Sequence, residues 1–524
     1  TQYNPSFFIP NFIRDLSQAL TMTETNMAKL PEQAKLRAQA MKQAFTGGDW
    51  LELFKASGAD MSGIFGEYYN PHTATLDFDR MFEKPKLASV IKGDNAKEIA
   101  RDLIRLGPID RLNRAFEMAN RMAEFAVSYT QAKRVGKPEA EAMAIAGQAG
   151  ADVTLDFQRG GTWSKQVNEI VVFFNAAMLG ADKLARFIKK NPLKAAARIF
   201  SLIVMPSIIQ LLLNLDEDDY WAKPKGMRDR YWYFPTGHDD LDRPTYLKLP
   251  KPYGLGIFGI ATERSFAFLF GIDPETGKRG DPGAMSGIAS AFINELRPTF
   301  NIAGLQPLIE VLVGDRGWSF YRDREIVSMA DQDLPLGEQG STRSSELARF
   351  LGSMFNFPPA KIDYLIQGWT GGLGRDAVQV GVAPIIRILA PRAKQGEPME
   401  YHDWLIVRRF LAGHTRSGHE AISRFYEQLV KLRRVNSGLN ARKDKPADYR
   451  DYRLKHRDQL ILYKEYARVS SKMSKEFSEV RRMYRQRERY NAKEIEQRVD
   501  KLYGIIIHHA QQAHRFRQRR KAKD

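Results

Sequence analysis

The residues in this chain with the chemistry to bind metals or catalyse are few, and their spacing works against both uses. Nine histidines are present, among them the pairs and triplets in "HTRSGHE" (His414, His419) and "HHAQQAH" (His508, His509, His514). None falls at the i, i+4 spacing that sets two ligands on one helix face. "GHDDLD" (His238, Asp239, Asp240, Asp242) gathers carboxylates in a turn, but three side chains supply fewer oxygens than the six to eight typical of calcium, so a hairpin loop is expected there. "GWTGGLGRD" is glycine-rich without the Gly-Lys-Ser/Thr ending of a phosphate loop, and a turn or helix cap is expected. The chain has no Gly-x-Ser-x-Gly elbow, and Glu139 and Glu141 lie on an alanine-rich helix pattern that points to solvent. With no cysteine at all, thiolate nucleophiles, Cys-ligated metals and disulfides are excluded. The expectation is a protein that is not an enzyme and has no cofactor and no metal.

What does carry a functional signal is apolar pattern and charge. From Leu155 to Leu213 an amphipathic helical pattern puts Val167, Ile170, Val171, Phe174 and Met178 on one face. It is followed, past the Asn191-Pro192 break, by the apolar run Ile199 to Leu213, which includes Ile199, Leu202, Ile203, Ile208 and Leu211. Fifteen residues fall short of the roughly 20 needed to cross a bilayer, which favours a buried core helix. Lys189, Lys190, Lys194 and Arg198 nevertheless flank the run where cations would meet anionic headgroups. The residues leave two readings open, a core helix and a segment that becomes membrane-associated when the protein reaches an envelope.

Charge is concentrated at the other end. Residues 401–524 hold 32 Lys and Arg against 15 Asp and Glu, whereas the first 400 residues hold 48 against 47. This excess is larger than solubility requires and points to an anionic partner. Tyr463, Tyr466, Ser470, Met473, Phe477, Val480 and Tyr484 form one heptad-spaced seam, and Ile495, Val499, Leu502, Ile506, His509, Ala513 and Phe516 form another. Asn491 and Glu494 have capping-box spacing between them. The expected product is an antiparallel helical hairpin over Gln459–Tyr484 and Ile495–Phe516. Its outer faces would display Arg481, Arg482, Arg485, Arg487, Arg489, Arg515, Arg517, Arg519 and Arg520 to a polyanion.

Around these elements the chain reads as mainly α and multidomain, with 43% hydrophobic residues excluding wholesale disorder. Residues 1–93 form an N-terminal helical and loop region, broken at Gly47 and Gly48. Residues 94–389 form a central helical domain in which Pro108 and Pro138 open helices. Tyr231 to Phe234 and Thr245 to Leu249 form a small β-hairpin there. Residues 390–403, interrupted by Pro391, Gly396 and Pro398, form a linker, and residues 404–524 form the basic helical region. The start, "TQYNPSFFIPNFIRDL", lacks the pattern of a secretory signal peptide.

The order "TLDFQRGGTW", "FFNA", Asn191-Pro192, "DRYWYFP", "YLKLPKPYGLGIFG" and "GWTGGLG", spread over Asp94 to Gly374, resembles a phage domain of the large polyvalent protein associated group. Such domains occur in the C-terminal region of internal virion (DNA ejection) proteins of short-tailed phages, and also in mobile-element polyproteins. The resemblance implies a structural internal virion protein stored in the capsid interior and then moved to the host cell envelope. There it would help form a conduit for genome delivery. It also implies a homo-oligomer with companion ejection and core proteins, the portal, the double-stranded DNA genome and the host inner membrane as partners. Any muralytic domain of such a protein would lie outside this chain. The alternative is a nonspecific nucleic-acid-binding module of a mobile-element polyvalent protein.

Overall fold

A computed structural model describes residues 5–22, 30–59, 107–153, 182, 184–252, 254–272, 305–319, 324–328, 331, 334–340, 344–377, 407–416, 418–486 and 489–521. The fold is mainly α with a small antiparallel sheet, as the sequence indicates. Val167, Ile170, Val171, Phe174, Met178, Arg487 and the linker at 390–403 lie outside the described residues.

The N-terminal layer consists of α1 (Pro5–Met22), α2 (Leu30–Thr46), α3 (Asp49–Ala56), α4 (Gly107–Arg134) and α5 (Glu139–Val153). Its core is unusually small-residue, with Ala40, Ala44, Ala119, Ala126 and Ala146 fully buried beside Phe54, Met122 and Phe125. Close backbone approach forces polar groups inside, and they are paired. Arg37 meets Glu124 at 2.7 Å, and the buried Arg121 donates to the carbonyls of Gly150 and Ala59. Unpaired, such charges would cost several kcal/mol each.

The next helix, α6, runs without a break from Pro192 to Leu213, with a π turn at Phe200–Val204. This corrects the 15-residue length read from the sequence. Pro192 sits in the first turn, where its missing N–H is harmless, and Leu193 and Ala195 to Ala197 extend the helix upstream of the apolar run, to 22 residues. Then come α7 (Asp218–Ala222), α8 (Lys225–Arg230), β1 (Tyr231–His238) and β2 (Pro244–Pro250). β1 and β2 pair antiparallel with a bulge between Pro235 and Gly237. In the turn, Asp239 accepts the N–H groups of Leu241 and Arg243 and pairs with the Arg243 guanidinium at 2.6 Å. Its carboxylate is thus spent on closing the hairpin.

After α9 (Gly256–Leu269) and α10 (Gln306–Leu312), the short strands β3 (Trp318–Ser319) and β4 (Arg324–Glu325) pair. Helices α11 (Glu346–Phe355) and α12 (Pro359–Ala377) follow. The turn or cap expected at "GWTGGLGRD" is not formed, because α12 runs through it. Gly368 is there for close packing: a Cβ at that position would lie 2.5 Å from Cγ of Pro307 on α10. Next come α13 (Val407–Phe410) and β5 (Leu411–Ala412), which adds to β2 and makes the sheet three-stranded in the order β1-β2-β5.

The C-terminal region comprises α14 (Glu420–Asn440), α15 (Pro446–Lys455), α16 (Arg457–Arg485) and α17 (Ala492–Lys521). The two expected helices do pair, and α14 packs along both of them, giving a three-helix bundle. Met473, Val480, Val499 and Ile506 are fully buried from the two seams, while α14 adds Phe425, Leu429 and Leu432. Phe425 stacks on Tyr466 with centroids 5.1 Å apart. Asn491 caps α17 by accepting the Lys493 N–H, but Glu494 pairs with Arg498 at 2.6 Å.

Candidate functional site

Helix α6 is built inside out relative to a water-soluble helix. Three of its polar side chains face the protein: Arg198, Ser207 and Gln210, with Asn214 just past its end, are each at most 1% exposed, whereas Ser201 is exposed and Lys194 half-buried. Several of its large apolar ones face outward, with Leu193 86%, Phe200 54%, Ile209 45%, Leu212 49% and Leu213 57% exposed. On the same helix Ile199, Ile203 and Leu211 are buried, while Leu202 and Ile208 are half-buried. The residues singled out from the sequence therefore lie mainly on the inner side. The outward set was missed because nearly every position in the run is apolar, so periodicity marks no face.

The polar stripe has a specific task. Strand β1 is the edge of the three-stranded sheet, and an open edge leaves backbone groups unpaired. Gln210 Oε1 accepts the Tyr233 N–H at 2.9 Å, and Asn214 Nδ2 donates to the Tyr233 carbonyl at 2.9 Å. One helical turn apart, the two side chains together satisfy both backbone groups of one edge residue. Gln210 Nε2 also donates to the Tyr220 hydroxyl at 2.7 Å, and Ser207 Oγ accepts the Trp232 indole N–H at 2.8 Å. Gly259 permits this contact, since a Cβ there would sit 2.7 Å from Ser207 Oγ. At the other end Arg198 reaches back to the Thr21 carbonyl at 3.3 Å. The helix is held by hydrogen bonds along one side, and its opposite side is left apolar and open.

At 1.5 Å per residue, 22 residues span about 33 Å, close to the roughly 30 Å of a bilayer hydrocarbon core. Only 33% of its most apolar window is buried, unlike the core helix of a soluble protein. Lys189 and Lys190 are exposed just before its start. Leu269, at the C-terminal end of the adjoining α9, is 74% exposed.

The predicted polyanion-binding arginines separate into two groups. Because α16 and α17 are antiparallel, Arg481, Arg482, Arg485 and Arg489 lie at the hairpin turn and Arg515, Arg517, Arg519 and Arg520 at the far end. The 29 residues of α16 put the ends about 43 Å apart. Near the turn the cations are matched by carboxylates of the same chain. Arg481 meets Asp331 at 3.2 Å and Arg482 meets Glu479 at 2.6 Å. The buried Arg416 bridges Glu496 and Asp500, each at 2.6 Å. Burial pushes the Asp331 carboxyl up to about 6 despite the opposing charge of Arg481.

A second ionic group fastens α7 to the segment between β5 and α14. Asp219 pairs with Lys223 at 2.8 Å and with His414 Nδ1 at 2.9 Å, and it accepts the Thr415 N–H at 2.7 Å. Burial opposes its ionisation, yet the His414 hydrogen bond and the Lys223 charge hold it well below the usual carboxylate range. His419 caps α14 by accepting the Ala421 N–H at 3.1 Å, and burial depresses its pKa to about 4. These histidines thus have structural partners. Among the described residues no group of three or more His, Asp or Glu is arranged to hold a metal ion.

Residues 217–406 match the family model described as large polyvalent protein associated domain 38, the group that the sequence motifs resemble. The match starts later than the resemblance read from sequence motifs and ends later, taking in α7 to α12 and both hairpin strands and leaving α6 immediately upstream. No curated protein and no solved structure matches the chain.

Proposed function

We propose that this chain is part of a structural internal virion protein of a phage, one that leaves the capsid with the genome and helps form its conduit across the host cell envelope. The observation that carries the reading is the outward apolar face of α6 beside the segment that matches this domain family. In this reading α6 is kept on the sheet edge by Ser207, Gln210 and Asn214 while the protein is stored, and its open side enters the host inner membrane after ejection. Gln210 and Asn214 remain on the protein side, which spares them lipid contact. Several copies, assembled with companion ejection proteins near the portal, would bring these helices together around the conduit.

The test is location. Peptides of this chain should be found by mass spectrometry in nuclease-treated, gradient-purified phage particles, and in the host inner-membrane fraction minutes after infection. Absence from particles, with the protein confined to the cytosol of infected cells, would exclude the virion role.

A further inference from the structure

The far end of the C-terminal bundle has a composition that the fold does not explain. The end of α14, all of α15, the start of α16 and the end of α17 meet there, as the 3.4 Å pair between Arg520 and Asp458 records. Residues 441–458 contribute seven Lys and Arg against four Asp, and residues 515–521 contribute five against none. Arg450, Arg453, Lys455, Arg457, Arg515 and Arg519 are all exposed.

Two ordinary explanations fall short. Cations at a helix C-terminus complement the helix dipole, which suits Arg515 to Arg520 at the end of α17. It suits Arg453 and Lys455 in the last turn of α15 as well, but not Arg457, which opens α16 where the dipole favours anions, nor Arg442, Lys443, Lys445 and Arg450, which lie outside any helix's last turn. Internal docking accounts for the other end of the bundle, where Arg481 meets Asp331 and Arg416 meets Glu496, each on a different element. At the far end the carboxylates are outnumbered three to one.

The chemistry of the surface narrows the partner. Eight of its twelve cations are arginines, whose planar forks match phosphate oxygens. Its large exposed apolar side chains are Leu454 and Phe516, too little for a helix that lies in a lipid interface. Tyr452 is covered by the Arg442 guanidinium at 4.3 Å and by the His456 ring at 4.3 Å, so it offers no face on which an unpaired base could stack. What remains is an arginine-rich surface suited to a double-stranded phosphate backbone.

We propose that the basic end of the bundle, formed by residues 441–458 and 515–521, is a sequence-nonspecific binding surface for the backbone of duplex DNA, whereas the turn end docks within the protein. This inference is independent of the membrane role of α6.

The test uses the full chain and two charge-matched triple variants at exposed positions, Arg450→Glu/Arg453→Glu/Lys455→Glu at the far end and Arg482→Glu/Arg489→Glu/Lys493→Glu at the turn end. Both should keep the parent's circular dichroism and melting. Binding to two unrelated 30-base-pair duplexes is followed by fluorescence anisotropy across a salt series. Each lost phosphate contact lowers the slope of log affinity against log salt by about 0.9. The far-end variant should therefore lose about 3 from the slope and at least tenfold in affinity at low salt, equally on both duplexes, and the turn-end variant should lose less than threefold. Equal losses in the two variants would show that net charge, not this surface, governs binding. Absence of binding at low salt would overturn the proposal outright. Loss of binding to phosphatidylserine vesicles in the far-end variant, with duplex binding unchanged, would assign the surface to lipid instead.

Discussion

The inverted orientation of α6 implies a mutational pattern opposite to that of an ordinary helix. Replacing Gln210 by Met preserves length and adds apolar character, which in a core helix is close to neutral. Here it removes the acceptor of the Tyr233 N–H and the donor to the Tyr220 hydroxyl. An orphaned buried backbone N–H costs about 1–3 kcal/mol and a lost ordinary hydrogen bond about 1 kcal/mol, so the variant should lose about 2–4 kcal/mol. Replacing Leu193 or Leu212 by Gln puts a polar group where the side chain is 86% or 49% exposed, and the cost should stay within about 0.5 kcal/mol for Leu193. Urea unfolding followed by tryptophan fluorescence is suited to the comparison, since Trp221 and Trp232 lie in the buried clusters beside α6. Both variants should also separate in vesicle binding. Gln210→Met loosens the helix from the sheet and should raise association with anionic vesicles, while Leu193→Gln/Leu212→Gln should lower it. A stable Gln210→Met variant together with a strongly destabilised Leu193→Gln variant would refute the inverted orientation.

Three further outcomes follow from the bundle and its attachment. Met473→Asp places a carboxylate at a fully buried position of the α14–α16–α17 core and should cost several kcal/mol, seen as early loss of helical circular dichroism on heating; Lys475→Asp, on the exposed side, should not. His419 has a folded pKa of about 4 against about 6.5 unfolded, so its contribution is intact above pH 6.5 and is lost as pH falls toward 4, by up to about 3 kcal/mol. Asp331 acts in the opposite sense between pH 6 and about 4, so the measurement is the difference between parent and His419→Asn, whose asparagine can still cap α14. That variant should lack the acid-side loss, and an unchanged pH dependence would show that His419 is protonated in the fold. Asp219→Asn should destabilise by about 3–5 kcal/mol, since it strands the 5%-exposed Lys223 against the rings of Tyr233 and Tyr246; a shift below 1 kcal/mol in urea unfolding would contradict the anchoring role.

Several elements were legible because local chemistry fixes them. Pro108 and Pro138 mark helix starts, the alternation in Tyr231–Phe234 and Thr245–Leu249 marks a hairpin, and the seam residues from Tyr466 to Ala513 mark two pairing helices. Other features depend on contacts distant in the chain. Leu411 and Ala412 become a third strand because β2 offers them an edge, and no two-residue pattern announces that. α14 enters the bundle through Phe425, Leu429 and Leu432, whose spacing suits any amphipathic helix. Gly368 lies inside a helix where a Cβ would meet Pro307, although glycine-rich sequence by itself suggests a turn. In α6 the buried partners of Ser207 and Gln210 lie on residues 220–233, so only the fold reveals which side of a nearly uniform apolar run faces outward. The basic residues were legible as a group, but their division between docking and exposed surfaces rests on Asp331, Glu496 and Asp500 being in reach of one end of the bundle.

The central claim, that the outer face of α6 meets lipid, can be tested directly because the chain has no cysteine. A single cysteine at Phe200 and, separately, one at Ile203 would carry an environment-sensitive fluorophore in the full-length chain. The two positions differ in exposure, 54% at Phe200 and 0% at Ile203. With vesicles containing anionic lipid, the label at position 200 should shift to the blue and be quenched by lipids brominated in their acyl chains, while the label at position 203 should be unaffected by bromolipid. No shift and no quenching at position 200, in a protein that sediments with the same vesicles, would contradict the account and leave α6 as a surface for another protein.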